Sequence, residues 1–442
     1  MSDEISDEIV DSLIKTILDS IIITDEGTVQ WKGAERIFTI QRDIDILISF
    51  LQEKTDFLRK LKTKRYSFSP ESSLLYGFEF VDIFKSLKSD KRTSFEEFKI
   101  EFNNKINEIA KIPQKEFTLI YPLNFEFVKN VDFEINKDKI EIISFEDFTT
   151  RFLDIQQKIQ EAKADGDIKT EFRFRLLKGV CNKKFSFFVI KVYARNDFFA
   201  IEYATERLSY VLGLLTLAKY FRHASITIAG RATKLSKLSL SKVLIFEKTE
   251  LINFADFNEQ IVSFEEIDED NIGTFSEILE SYNNIKYPSI VEILESALTS
   301  YYEASIDEYM AYSFLKYWIC IEFCLLKSEG ITENEIIKRL KSMVIPEDEY
   351  LKFRLDWLYK KRNNLVHKLD MNISQNERNL AKSISEALIN FLLSNGNRFS
   401  NKNELNLFYK FIQEDNESLT TDKKVIYLIK EFRKNLKGTK IE

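Results

Sequence analysis

The sequence predicts an α+β fold, in which an N-terminal mixed α/β domain with a mostly antiparallel sheet precedes an all-α helical bundle. Runs of β-branched and aromatic residues, typical of strands, are concentrated between residues 117 and 246. From residue 290 onward, apolar residues recur at the three- and four-residue spacing of helices. Hydrophobic residues make up 44% and charged residues 31% of the 442 positions, proportions that predict a globular chain with a sizeable core.

Helical and strand patterns alternate in the N-terminal part. Apolar spacing predicts helices over residues 1–24, about 37–62 and 197–221, and residues 28–31 form a short strand-like segment. The predicted strands are Phe117–Leu123, Asn124–Val128, Val131–Ile135, Lys139–Ile143, Phe185–Tyr193, Ser225–Ala229 and Val243–Phe246. The turn at residues 136–138 predicts a hairpin, and the strongly apolar run over 185–193 predicts a central strand.

The C-terminal part is predicted to be helical throughout. The helix over 308–327 is apolar on nearly every side, so it should lie buried at the centre of the bundle. A hydroxyl residue followed three positions later by glutamate predicts capping boxes at Thr332 and Ser374. The first predicted helix of this part begins near residue 290. Further helices are predicted over about 346–368, 377–393, 402–413 and 422–436. Gly396 marks the end of the 377–393 helix.

These patterns predict two domains, as the length also suggests. Residues 1–268 form the N-terminal α/β domain, which is expected to sense a trigger or dock a partner. Residues 269–289, acidic and then turn-rich, form a linker, and residues 290–442 form the helical domain with extra C-terminal helices.

Composition narrows the class of protein. A net charge of −7 argues against a chain that coats DNA nonspecifically. Three cysteines are too few for a disulfide framework, and no signal peptide or run of 18 apolar residues is visible, so a cytoplasmic protein without a membrane span is expected. Cys320 and Cys324 are predicted to be core residues rather than metal ligands, and His223, by a helix end, is predicted to be structural.

The segment that stands out is Arg362-Asn363-Asn364-Leu365-Val366-His367, which holds one of only two histidines. Between residues 351 and 370 there are six cations and two acids, a local charge of +4. Residues five apart on an α-helix are separated by about 140° and roughly 7.5 Å of rise. Arg362 and His367 are therefore predicted on different faces, whereas Asn363 and His367 share one. Two copies packed across a two-fold axis would gather both arginines and both histidines around one cleft.

Such a cleft is suited to cutting RNA. A histidine removes the proton of a ribose 2′-hydroxyl, and arginine binds the phosphate and stabilises its developing charge. The nucleophile belongs to the substrate, so neither a metal nor another cofactor is expected. The alternative is a solvated cationic helix end at which Arg362 and His367 only assist the helix terminus.

The motif resembles the Arg-(polar)-x3-His motif of the HEPN superfamily. Trp318 and Glu322 on the preceding helix resemble the Apea-like branch, and the resemblance covers roughly residues 290–395. It implies an all-α bundle, a homodimer, metal-independent endoribonuclease activity, and a role as a toxin or in bacterial defence against phage. Carried over by position, it implies that Arg362, His367 and Asn363 are catalytic. Glu322 is expected to support the site by holding either Arg362 or His367, or else to pair elsewhere as a lone acid on a buried helix. The neighbouring cations Lys360, Lys361 and Lys368 are predicted to bind RNA.

Two functions follow as hypotheses. The first is a HEPN endoribonuclease that leaves a 2′,3′-cyclic phosphate and acts as an abortive-infection or toxin effector, controlled by a phage-derived trigger or an antitoxin. The second is a catalytically idle HEPN module that serves as a dimerisation or binding scaffold.

Overall fold

A computed structural model describes most of the chain. The described residues are 7–25, 29–31, 79–123, 125–127, 129–135, 137–151, 186–220, 244–247, 250–254, 265–307, 309–326, 331–343, 349–413 and four single positions between 418 and 423. Several predictions lie wholly or mostly outside the described residues. They are the helices over 37–62 and 422–436, the strand Ser225–Ala229, and the positions of His223 and Cys181. The fold is α+β, as the sequence predicts, with the strands in the N-terminal part and a helical C-terminal part.

The chain begins with helix α1 (Asp7–Ser20), which packs against α2 (Glu79–Ser89) and α3 (Phe95–Ala110). The predicted helix over 1–24 is too long. Strand β1 (Ile21–Ile23) follows α1 directly and pairs antiparallel with β2 (Val29–Trp31). The helical spacing of the isoleucines continues into β1, so periodicity alone placed the boundary too late.

In the described part of the chain, the main sheet has six strands, and every neighbouring pair in it is antiparallel. Its order is β5 (Val131–Ile135), β6 (Asp138–Ile143), β7 (Ser186–Ala194), β3 (Lys115–Leu123), β8 (Leu244–Glu247) and β9 (Glu250–Phe254). The predicted hairpin between β5 and β6 is confirmed, and so is the central position of β7. Ile190 of β7 faces Leu119 on one side and Ile140 on the other. All three side chains are buried.

The remaining elements of the N-terminal part flank this sheet. Helix α4 (Phe145–Arg151) stacks Phe148 on Phe187 of β7, with ring centroids 4.0 Å apart. Strand β4 (Phe125–Phe127) pairs in parallel with β10 (Glu265–Ile267) in a separate small sheet. Helix α5 (Asp197–Tyr220) packs on β7 and β3 and buries the middle of its length on nearly every side.

The segment predicted as a linker, 269–289, holds helix α6 (Glu269–Asn283). This helix buries Ile272, Phe275, Leu279 and Tyr282 and packs against α5. Asp268 caps its first turn, because its carboxylate accepts from the backbone amide of Asn271 at 2.8 Å. The acidic composition that suggested a linker therefore belongs to the start of a helix.

The helical part is built around α7 (Pro288–Ile306), α8 (Met310–Cys324) and α11 (Gln375–Asn395). Among the residues described in this part, the other helices are α9 (Glu333–Met343), α10 (Glu349–Lys368) and α12 (Lys402–Phe411), with a 3₁₀ turn at Gly396–Arg398. Helix α8 packs on both α7 and α11, which confirms its predicted central position. Cys320 and Cys324 on α8 are fully buried, as predicted for core residues.

Helix boundaries follow local capping signals. Ser374 and Glu377 form the predicted capping box at the start of α11, and Gly396 caps its end. At Thr332, the hydroxyl accepts from the Glu335 amide at 3.3 Å, consistent with the other predicted box. Among the described residues, no helix combines the length and the apolar character needed to cross a bilayer.

Gly213 allows α5 and α7 to approach each other closely. A Cβ at this position would lie 2.5 Å from the backbone oxygen of Leu298 on α7. The clash involves backbone, so Gly213→Ala should lower the free energy of unfolding by about 2 kcal/mol in chemical denaturation. The matched control is Gly273→Ala within α6, where a Cβ would meet nothing within 4 Å. That change should raise the free energy of unfolding by about 0.5–1 kcal/mol, and equal effects at both glycines would contradict the close approach.

Candidate active site

Helix α10 positions the Arg362–His367 segment. Leu355, Leu358 and Leu365 form the apolar face by which the helix packs, and Arg362 is buried on that same face. His367 lies in the last turn and is exposed to solvent. The predicted separation of the two side chains onto different faces of one helix is confirmed.

Arg362 is held by three side-chain oxygens. Its Nη2 donates to Glu322 Oε1 at 3.0 Å, and its Nη1 donates to Glu333 Oε1 at 2.7 Å and to Asn363 Oδ1 at 3.1 Å. The two carboxylates come from α8 and α9, so this one guanidinium ties three helices together. Charge-assisted hydrogen bonds of this kind are the strong ones in proteins.

Both carboxylates are themselves positioned by aromatic side chains. Glu322 Oε1 also accepts from the indole Nε1 of Trp318 at 3.0 Å, one turn earlier on α8. Glu333 Oε2 accepts from the hydroxyl of Tyr359 at 3.1 Å. The rings of Trp318 and Tyr359 lie 6.2 Å apart. Of the two partners left open for Glu322, the structure shows it paired with Arg362.

The two ion pairs differ in their access to water. The Arg362 side chain is 8% exposed and that of Glu322 is 13% exposed, whereas Glu333 is 35% exposed. Glu322 therefore forms the inner pair. Glu333 sits at the start of α9 and closes the outer side of the guanidinium. An incoming anion would displace Glu333 more readily than Glu322, because water already reaches Glu333 and weakens its ion pair with Arg362.

One nitrogen of the Arg362 guanidinium is buried and, in the described part of the chain, unpaired. Nε of Arg362 is buried and has no hydrogen-bond partner among the described residues. Buried donors are nearly always paired, so an unpaired one at a candidate site is informative. A phosphate oxygen is the kind of acceptor that arginine Nε and Nη together bind.

His367 lies where the helix ends. Leu369, two residues later, adopts a left-handed backbone conformation with φ of 55°, which turns the chain out of α10. Three apolar side chains within four residues of the histidine in the sequence are exposed to water, and these are Val366, Leu369 and Met371. The chain near the exposed imidazole is therefore rich in exposed apolar side chains.

The predicted RNA-binding cations lie near this end of α10 in two different settings. Lys360 and Lys368 are exposed. Lys361 is half-buried, donates to the backbone oxygen of Asn372 at 2.9 Å and lies 3.5 Å from Glu377 Oε1. Two of the three are therefore directed to solvent, and the third is engaged with the start of α11.

The role of Glu333 was not anticipated from the sequence. Its place in the first turn of α9 was signalled by the Thr332 capping pattern, but its pairing with a residue 29 positions later depends on how α9 packs on α10. The sequence gives no signal for Trp357 either, because a single aromatic residue on a helix is unremarkable.

Comparison of the chain with protein-family models, with curated proteins and with solved structures finds no match.

Proposed function

We propose that the protein is a metal-independent endoribonuclease of the HEPN type. The observation that carries the proposal is that one helix, α10, holds both an exposed histidine and a buried arginine. The arginine is held by carboxylates, and its Nε is unpaired among the described residues. The resemblance to the HEPN motif supplies the reaction. RNA is cut by its own 2′-hydroxyl, leaving a 2′,3′-cyclic phosphate and a 5′-hydroxyl.

Each step has a residue to perform it. His367 takes the proton of the 2′-hydroxyl while O2′ forms a bond to phosphorus and the bond from phosphorus to O5′ breaks. The His367 of a second copy gives a proton to the departing O5′. Arg362 binds the phosphate oxygens, on which negative charge gathers, and Asn363 holds the guanidinium in line. Lys360 and Lys368 attract the strand electrostatically.

The second histidine requires a homodimer. Val366, Leu369 and Met371, exposed apolar residues close to His367 in the chain, would supply a small apolar patch for contact with a second copy. Packing this patch against its copy around a two-fold axis would bring the two His367 side chains to one cleft.

The two carboxylates on Arg362 suggest how the site binds phosphate. The RNA phosphate takes the place of Glu333, while Glu322 stays and keeps the guanidinium in position. Glu333→Gln should therefore raise the affinity for a single-stranded oligoribonucleotide about fivefold, corresponding to roughly 1 kcal/mol of removed competition. Fluorescence anisotropy measures this directly.

A matched control lies two residues away on the same helix. Glu335→Gln removes the same charge, but Glu335 pairs with Arg339 instead. This variant should leave RNA affinity unchanged. An affinity that does not respond to Glu333→Gln would show that phosphate does not compete for Arg362.

The cellular role is proposed from the resemblance. The enzyme acts in the cytoplasm as an abortive-infection or toxin effector in bacterial defence against phage. The N-terminal α/β part receives a phage-derived trigger or an antitoxin partner and keeps the nuclease silent until then.

A second candidate function is an idle HEPN module that serves as a dimerisation or binding scaffold. One observation favours it: in the structure, the charge of Arg362 is already balanced by Glu322 and Glu333. An arginine engaged in this way also suits a purely structural role.

Incubating the protein with single-stranded RNA, with and without a chelator, separates the two candidates. The nuclease proposal predicts cleavage that survives the chelator and fragments that end in 2′,3′-cyclic phosphate. Cleavage that needs a divalent metal would refute the mechanism. No cleavage by a chain that binds RNA or a second copy would favour the scaffold.

A further inference from the structure

One line of side chains runs along the exposed face of α10 and ends at the candidate catalytic histidine. The positions follow each other at alternating spacings of three and four, which keeps them on one side of a helix. In order they are Tyr350, Phe353, Trp357, Lys360, Asn364 and His367. Over 17 residues, the line is about 25 Å long.

The first three members are large aromatic side chains exposed to water. Tyr350 is 71% exposed, Phe353 65% and Trp357 45%. Single exposed apolar residues are common on protein surfaces, but three aromatics in one row pointing to solvent mark an interaction surface. We call this row, Tyr350, Phe353 and Trp357, the aromatic stripe.

The ring of Trp357 is held in place. Its Nε1 donates to Glu377 Oε1 at 2.7 Å. The amines of Lys360 and Lys361 lie 5.8 and 5.4 Å from its ring centroid. A ring fixed at its edge while part of its surface stays accessible is a preorganised platform for another flat group.

A cleft adjoins the stripe between α10 and the start of α11. Its volume is about 530 Å³, and Tyr350, Arg354 and Trp357 line one side of it. Glu377 lies on the other side, but its charge is already engaged. Burial opposes ionisation, yet the backbone amide of Ser374 and the indole of Trp357 donate to the carboxylate and hold the pKa of Glu377 below its usual value.

We infer that the aromatic stripe binds single-stranded RNA by stacking its bases on Trp357, Phe353 and Tyr350, and leads the strand along α10 to His367. The inference rests on the proposed ribonuclease function and adds to it the path of the substrate. Each stacked base typically contributes about 1–3 kcal/mol, and stacking of this kind tolerates any sequence because every base has a flat face. The stripe therefore selects unpaired RNA over duplex.

Charge argues for RNA rather than a second copy of the chain on this stripe. Arg354, Lys360 and Lys361 flank the aromatics, and the guanidinium of Arg354 lies 5.8 Å from the Tyr350 ring. If two copies packed this stripe together, the cations of both copies would be gathered in one interface and repel. The phosphates of an RNA strand would instead neutralise them, while its bases cover the rings.

The test uses a non-cleaving background, His367→Ala, so that binding is measured without loss of substrate. Fluorescence anisotropy with a mixed-sequence single-stranded oligoribonucleotide gives the dissociation constant. Adding Trp357→Ala or Phe353→Ala should weaken binding by about tenfold each. Trp357→Phe keeps a stacking face and should stay within about threefold of the background. Binding of the same strand as a duplex should be weak and insensitive to these changes.

Tyr309 provides the matched control, because it is 68% exposed but lies at the start of α8, off the stripe. Tyr309→Ala should leave RNA affinity unchanged. Unchanged affinity in Trp357→Ala and Phe353→Ala would overturn the inference. The inference would also be overturned if these variants had a lower native mass than the background but the same RNA affinity. The stripe would then be an interface between copies of the chain. Neither result decides the proposed function. That function is tested separately, by whether the wild-type chain cleaves RNA and whether cleavage depends on His367.

Discussion

Replacing His367 by alanine should reduce RNA cleavage by about 10²–10⁴-fold, the usual contribution of a general acid–base residue. The side chain is exposed in the last turn of α10, so the same change should alter the free energy of unfolding by less than about 1 kcal/mol. Cleavage rates measured on a labelled single-stranded oligoribonucleotide, alongside chemical denaturation, separate the two effects.

Lys352→Ala is the control for His367→Ala. Lys352 lies on α10 too and pairs with Glu349, and it is not one of the residues in the line that leads to His367. Its loss should leave the cleavage rate unchanged. If His367→Ala cleaved RNA at the wild-type rate, the histidine would have no part in the mechanism. Arg362 would then be a structural residue only.

Replacing Glu322 by alanine should cost about 3 kcal/mol of unfolding free energy, because removing one partner of a buried ion pair leaves the other charge poorly compensated. The change also deprives the Trp318 indole of its acceptor. Glu333 still contacts Arg362, which keeps the cost from being larger. Denaturant titration of the wild type and the variant measures the difference.

Glu349→Ala is the matched control for Glu322→Ala. Glu349 also pairs with a cation, Lys352, but its side chain is largely exposed. Exposed pairs contribute little, so this change should cost about 0.5 kcal/mol or less. Similar costs at the two positions would mean that the inner pair of Arg362 is as hydrated as a surface pair, contrary to its burial.

Much of the candidate site follows from residue spacing. The angle between helical positions was enough to separate Arg362 from His367. Trp318 and Glu322, which carry part of the family resemblance, lie one turn apart on α8, and the indole donates to the carboxylate. Local capping chemistry likewise located the start of α11 at Ser374. These features depend on residues within one turn of each other, so the sequence carries them directly.

Features that depend on packing were beyond the sequence. Glu333 meets Arg362 only because α9 packs against α10, and Gly213 matters only because α7 passes close to α5. Strand β1 was missed since its isoleucines continue the helical period of α1. Helix α3 differs from these features, because the capping box of Ser94 and Glu97 is a local sequence signal for its start.

The most direct test of the central claim is the mass of the active species. Native mass and the cleavage rate per chain should be measured on the same samples across a range of protein concentrations, in chelator. If two copies of α10 combine their histidines and arginines, cleavage belongs to a species of twice the chain's mass and falls on dilution as that species dissociates. A single chain that cuts RNA at the full rate would contradict the account.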